Sequence, residues 1–143
     1  MGLFDFVKEA GARIIDSATD AASAIRGHVN KEVPESKNSD VQVEYQDGTV
    51  RVSGNAASQA DKEKIILAAG NVHGVSKIDD NIKVAGGEQK PSRMYTVKSG
   101  DTLSKIARDM YGNANDYPKI FEANKPMLKD PDKIYPGQVL RIP

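Results

Sequence analysis

Side-chain chemistry has few candidates in this chain. His28 and His73 are the only histidines, and they lie too far apart to form a zinc set with standard spacing. Cysteine is absent, which excludes thiol catalysis, disulfides and thiolate-held metals. Serines are plentiful, but neither histidine accompanies a nucleophile elbow or an oxyanion glycine motif, so the expectation is a protein that is not an enzyme. Asp79-Asp80 beside Asn81 lacks a third carboxylate at a ligand-like spacing, and reads as solvated acids at a strand start rather than a calcium site. What remains is the main chain. Gly11 and Gly70 each read as the stop of a helix, where up to about four carbonyls lack intrahelical partners and the helix dipole gathers partial negative charge. Taken alone, such glycines are ordinary C-caps.

The elements around those two glycines follow from periodicity. Leu3, Val7, Ile14, Ala18, Ala22, Ile25 and Val29 recur at steps of three, four or seven, the spacing of a helix with one buried face. Gly11 interrupts the series, which predicts a short helix to about Ala10 and a longer one from about Ala12 to Asn30. A polar connection with Pro34 leads to a hairpin. There Val41, Val43 and Tyr45 alternate with polar residues, Gln46-Asp47-Gly48 supplies the turn, Val50 and Val52 resume the alternation, and Gly54 ends it. Ser58 and Asp61 fit a capping box opening a helix whose Ile65, Ile66, Ala68 and Ala69 share one arc, with Gly70 as its stop and a strand from Val75 to Val84 beyond it.

Residues 86–93 carry Gly-Gly and a proline but no large apolar side chain, the composition of a linker. After them, Leu103, Ile106, Ala107 and Met110 mark a helix stopped at Gly112. Pro118 suits the first turn of a second helix carrying Ile120 and Phe121, ended by Asn124 and Pro126. The fold class expected is therefore α+β in two domains, residues 1–85 and 94–143, joined by the linker.

Lys+Arg and Asp+Glu are each 20 in 143 residues, so no global field points to nucleic acid or a membrane. The balance hides an asymmetry. Residues 1–85 hold 10 basic and 13 acidic side chains, net −3, whereas 86–143 hold 10 and 7, net +3, so the halves can attract one another weakly. At the N-terminus Asp5, Lys8 and Glu9 break up Leu3, Phe4, Phe6 and Val7, leaving no apolar core for a signal peptide. They also cancel the basic face that a membrane-lying helix carries. Phe6 stands where myristoylation needs Ser or Thr. The expectation is a cytoplasmic monomer without membrane insertion.

Several stretches resemble known families. Tyr95-Thr-Val-Lys-Ser-Gly-Asp-Thr-Leu103 and Tyr135-Pro-Gly-Gln-Val-Leu-Arg-Ile-Pro143, bracketing two helices, resemble the LysM domain, a βααβ module associated with N-acetylglucosamine polymers. Val50-Arg-Val-Ser-Gly54 and the run from Gly70 to Asp80 resemble the BON domain, helices on one face of a small sheet. Together with Gly2-Leu-Phe4, Ala10-Gly11 and the run Ile120 to Lys129, they resemble the bacterial BON–LysM potassium-binding proteins, soluble cytoplasmic potassium sensors. The resemblance is weakest from Ala12 to Ser39.

That resemblance implies one potassium ion held by the backbone oxygens of Val7, Lys8 and Ala10 from the first glycine-terminated end, and of Gly70, Val72 and Val75 from the second. Such a donor set has a physical reason. Potassium is large and singly charged, and selective sites replace its hydration shell with neutral carbonyls, whereas carboxylate clusters suit calcium and magnesium. The resemblance further implies that the LysM-like half docks on the BON-like half when the ion is bound. The alternative is a peptidoglycan-binding protein, with the loops Ser99–Thr102 and Asn124–Ile134 flanking a glycan groove.

Overall fold

The computed structural model describes residues 2–15, 20–34, 41–87 and 90–143. Its first element is a strand, β1 (Gly2–Asp5), where periodicity predicted a helix. The local pattern explains the difference. Phe4 packs against the core and Phe6 is 8% exposed, while Leu3 is 66% exposed and Asp5 faces solvent, which is alternation of period two. The helical reading assigned Leu3 and Val7 to a buried stripe, yet both are exposed. A segment this short gains little from a helix of its own. Laid flat, it satisfies its backbone on β4 (Lys77–Val84), pairing antiparallel from Gly2 with Asp80 to Asp5 with Lys77.

The next helix also departs from expectation. Ala12 to Ile14 are not helical, and α1 spans Ala21–Glu32, opened by the Asp20 carboxylate, which accepts from the N–H groups of Ala22 and Ser23. Ile25 and Val29 are fully buried on its inner face. Ala18, placed on this face by periodicity, lies outside the described residues. The hairpin forms as expected from β2 (Gln42–Gln46) and β3 (Thr49–Ala56), but β3 continues past Gly54, which lies opposite Ile82. Helix α2 (Gln59–Gly70) begins where the capping box places it, with the Ser58 hydroxyl accepting from Asp61 N–H at 3.1 Å. It carries the chain across so that β3 and β4 run parallel, giving the sheet order β1-β4-β3-β2.

Ile65, Ile66, Val50, Val52, Ile78 and Ile82 fill the space between α1, α2 and the sheet. Burying each such side chain contributes about 2 kcal/mol. One pair of charges enters this core: Lys62 Nζ lies 3.1 Å from Asp80 Oδ2, with both side chains almost wholly buried. Asp80 is thus not a solvated acid, as its sequence context suggested. Its neighbour Asp79 is the partly exposed one and meets Arg51 at 3.2 Å.

The second half is βααβ. Strands β5 (Arg93–Thr96) and β6 (Val139–Ile142) pair antiparallel, with helices α3 (Leu103–Tyr111) and α4 (Tyr117–Ala123) between them in the chain. Thr102 caps α3 through Lys105 N–H, Gly112 ends it with φ of 80°, and Pro118 sits in the first turn of α4. Arg93, expected at the end of the linker, already pairs with Ile142. Leu103, Ile106, Ala107, Ile120, Leu128, Leu140 and Ile142 form this half's own core.

Candidate functional site

The segments holding the six candidate oxygens lie side by side. Phe6 N–H donates to Ser76 O at 2.8 Å and Gly74 N–H to Lys8 O at 2.7 Å. Further along, Ala12 N–H donates to Asn71 O at 3.1 Å and His73 N–H to Ala12 O at 2.9 Å, an isolated parallel pairing of Ala12 with Val72. Residues 7–10 therefore form a short turn tied at both ends to the loop 71–76, closed by Ala10 N–H donating to Val7 O at 3.1 Å. On the other side, Val75 N–H donates to Val72 O at 3.0 Å.

Only one of the two segments is a helix end. Gly70 is the last residue of α2, and Asn71 N–H caps it by donating to Leu67 O. Val7, Lys8 and Ala10 follow a strand, so no helix dipole acts from their side. The glycines are needed for contact rather than for a cap at both places. A Cβ on Gly70 would sit 2.2 Å from the Phe6 ring, and one on Gly11, whose φ is +99°, would sit 2.5 Å from the Asn71 carbonyl. Real side chains do not approach so closely, and the Gly11 conformation is itself one that L-residues disfavour.

Main-chain carbonyl oxygens are the kind of ligand that suits a large monovalent ion. Each carbonyl oxygen has two lone pairs. Val7, Lys8 and Val72 each direct one at an N–H, which leaves the other for a cation. Among the described residues no cluster of three or more His, Asp or Glu side chains could hold a metal. His73, half-buried beside the loop, takes part through its backbone N–H.

The second half closes directly on this pair of loops. Gly137, in the turn before β6, lies so near that a Cβ there would be 2.7 Å from Ala10 Cβ and 3.2 Å from Val7 Cβ. Asn71 reaches across: its Nδ2 donates to Val139 O at 2.8 Å and its Oδ1 accepts from Val139 N–H at 2.8 Å, with the residue 6% exposed. Farther along, Arg141 Nε meets Glu63 Oε1 at 2.7 Å, and Glu63 Oε2 accepts from Ser92 N–H at 2.8 Å and from Gln59. Burial alone would raise the Glu63 carboxyl, but hydrogen bonds from Ser92, Gln59 and Arg141 together outweigh it and hold the group below its ordinary value. Lys129 reaches Glu32 at 3.4 Å across the same boundary. The charge asymmetry between the halves thus meets at two specific pairs.

A cleft of about 340 Å³ remains beside these contacts, lined by Gly11, Asn71, His28, Glu32, Lys129 and Tyr135 among others. Burial lowers His28 and raises Tyr135 to about 12, so both are neutral near pH 7. Asn71, Glu63, Arg141 and Gly137 were not among the residues singled out from sequence for a site. Asn71 lay inside the Gly70-Asn71 wording, but nothing in the spacing of Glu63 and Arg141 foretold their meeting.

The BON domain family matches residues 17–86 and the LysM domain family residues 95–143. Over its full length the chain is 52% identical to a protein of Escherichia coli O6:H1 called potassium binding protein Kbp, covering 99% of that protein. The chain belongs to the BON–LysM potassium-binding protein family. A Deinococcus radiodurans protein described as uncharacterized is 36% identical over 85% of this chain, which spans about half, 49%, of that relative. The LysM part alone is 45% identical over 49 residues to LysM domain-containing GPI-anchored protein 2 of Arabidopsis thaliana, 34% of this chain and 13% of that one. The fold is the one the family wording implied, helices on a four-stranded sheet followed by a βααβ unit. Among the described residues no helix is long and apolar enough to cross a membrane.

Proposed function

We propose that this protein binds potassium in the cytoplasm, through main-chain oxygens of Val7, Lys8, Ala10, Gly70, Val72 and Val75, and that the bound ion favours docking of the LysM domain. The observation that supports this reading is the tie between residues 6–12 and 71–76, which sets the two stretches side by side next to the Gly137 turn. The full-length relative named as a potassium binding protein supports the choice of ion. In this reading domain 1–85 senses the ion, residues 86–93 link, and domain 94–143 responds.

The mechanism is a linkage. An ion can drive docking only if it binds the docked arrangement better than the undocked one. In this reading Gly137 supplies the difference by lying close against Val7 and Ala10, two residues of the turn that must be ordered around the ion. Ordering them once, by docking or by ion, reduces the entropy cost of the other event. Calorimetric titration with KCl and with NaCl, paired with a hydrodynamic radius, tests the reading. Saturable heat with KCl alone and a smaller radius are expected, and equal feeble heats with an unchanged radius contradict it.

A second reading, peptidoglycan binding, is favoured by a groove of about 210 Å³ lined by Thr102, Leu103, Ser104, Tyr117, Pro131 and Asp132, between the two loops expected to flank a glycan. Retention on insoluble peptidoglycan, competed by chito-oligosaccharide, would support it. Absence of retention would leave the groove without that role.

A further inference from the structure

Strand β6 pairs with β5 along one edge, through the register Val139 with Thr96 to Ile142 with Arg93. Among the described residues its other edge has no strand beside it. Two asparagine amides take the place of a neighbour there. Asn124 binds Arg141, accepting from its N–H at 2.9 Å and donating to its carbonyl at 3.0 Å. Asn71 binds Val139 in the same double fashion, at 2.8 Å for each bond. Asn124 belongs to the LysM domain, whereas Asn71 belongs to the BON domain and stands between Gly70 and Val72.

We infer that Asn71 is the positioning residue that couples the ion loop to the LysM domain, reading the state of the 70–75 backbone and passing it to the free edge of β6. This rests on the potassium reading above and specifies its route. An asparagine side chain has only two rotatable bonds, so its amide moves with its own backbone. That backbone is itself tied into the loops: Asn71 O accepts from Ala12 N–H, Asn71 N–H donates to Leu67 O, and Gly11 packs against the Asn71 carbonyl. Both amide bonds to Val139 are buried at 2.8 Å, and a shift of more than about half an ångström takes them outside the favourable range. Leaving Val139 N–H and C=O buried and unpaired is unfavourable, so a displaced loop disfavours the docked LysM domain. Nδ2 has a further contact, Met127 Sδ at 3.5 Å, which fixes the same amide from the LysM side.

The two asparagines make the wild-type protein its own control. Amide hydrogen exchange is followed in KCl and in NaCl at equal ionic strength, alongside calorimetry on the same sample. Potassium is expected to slow exchange at Val139 by about tenfold, within the usual range of allosteric coupling. The potassium midpoint should match that of the loop amides of Ala12 and Gly74, and Arg141, held by Asn124, should change little. Equal responses at Val139 and Arg141, or no response at Val139 while calorimetry records potassium binding, overturns the inference. An absence of potassium heat in the wild type instead removes the reading on which it rests. Asn71→Ala adds a second arm: potassium affinity should fall by about tenfold and LysM amide shifts should stop following potassium. Wild-type affinity and unchanged shifts in that variant would also overturn it.

Discussion

Asn124 and Asn71 make the same two hydrogen bonds to the same strand, two residues apart, yet they stand in different domains. Asn124 also donates to Ile120 O and so closes the α4–β6 corner of the LysM core. That corner is filled by Ile120, Leu128 and Leu140, side chains with no exposed surface to speak of. Asn71 ends a helix of the other domain, and its surroundings are turns, two glycines in close contact and a cleft. Identical polar chemistry therefore has different consequences. In the first place it completes a packed unit, and in the second it joins a strand of one domain to the loop of the other that is proposed to hold the ion.

The largest effect that would sharpen this contrast is expected from Gly11→Ala. Its Cβ meets the Asn71 backbone at 2.5 Å, and the residue holds φ of +99°. Overpacking and backbone strain together should cost about 4 kcal/mol. Urea denaturation should show that loss in the BON transition, and calorimetry should show potassium heat abolished, while LysM amide shifts keep their dispersion. A variant that melts both domains equally would break the contrast.

Next comes Asn124→Ala. It leaves the Arg141 N–H and carbonyl buried without partners and should cost about 3 kcal/mol, seen as a lower LysM transition in thermal unfolding. The ion-loop ties Gly74–Lys8 and Ala12–Asn71 should stay as protected as in the wild type. Loss of their protection would mean that the LysM core, rather than Asn71, holds the loops.

The smallest effect is that of pH on the Glu63–Arg141 contact. The folded Glu63 carboxyl lies below its ordinary value of 4.5. Its contribution is therefore complete above that ordinary value and is lost as pH falls through the lower folded one. Stability by urea denaturation should decline modestly below about pH 4.5, by an amount that Glu63→Gln removes. A variant with the same acid slope as wild type would show that other carboxylates govern the decline.

Much of the fold was legible because local chemistry and tertiary need agreed. Ser58 caps the helix it precedes, Gly112 stops α3, and the Asp47-Gly48 turn joins β2 to β3. The N-terminal strand was not legible. Leu3 and Val7 fit a helical stripe, but the edge of β4 offered a backbone partner that one segment's periodicity cannot reveal. Asp80 was misread for a similar reason, since Lys62 reaches it from a different element. For the candidate site, resemblance named Val7 to Ala10 and Gly70 to Val75, and the backbone ties bring those stretches together. The helix-end argument held for Gly70 alone. Asn71, with no catalytic or ligand-like spacing around it, became visible only when β6 lay beside it.

The most direct measurement is an anomalous difference map from crystals soaked in rubidium, a potassium stand-in. One peak bounded by the main-chain oxygens of Val7 to Ala10 and Gly70 to Val75 is the predicted result. Bare solvent between those two loops, or a peak held by carboxylates elsewhere, would contradict it.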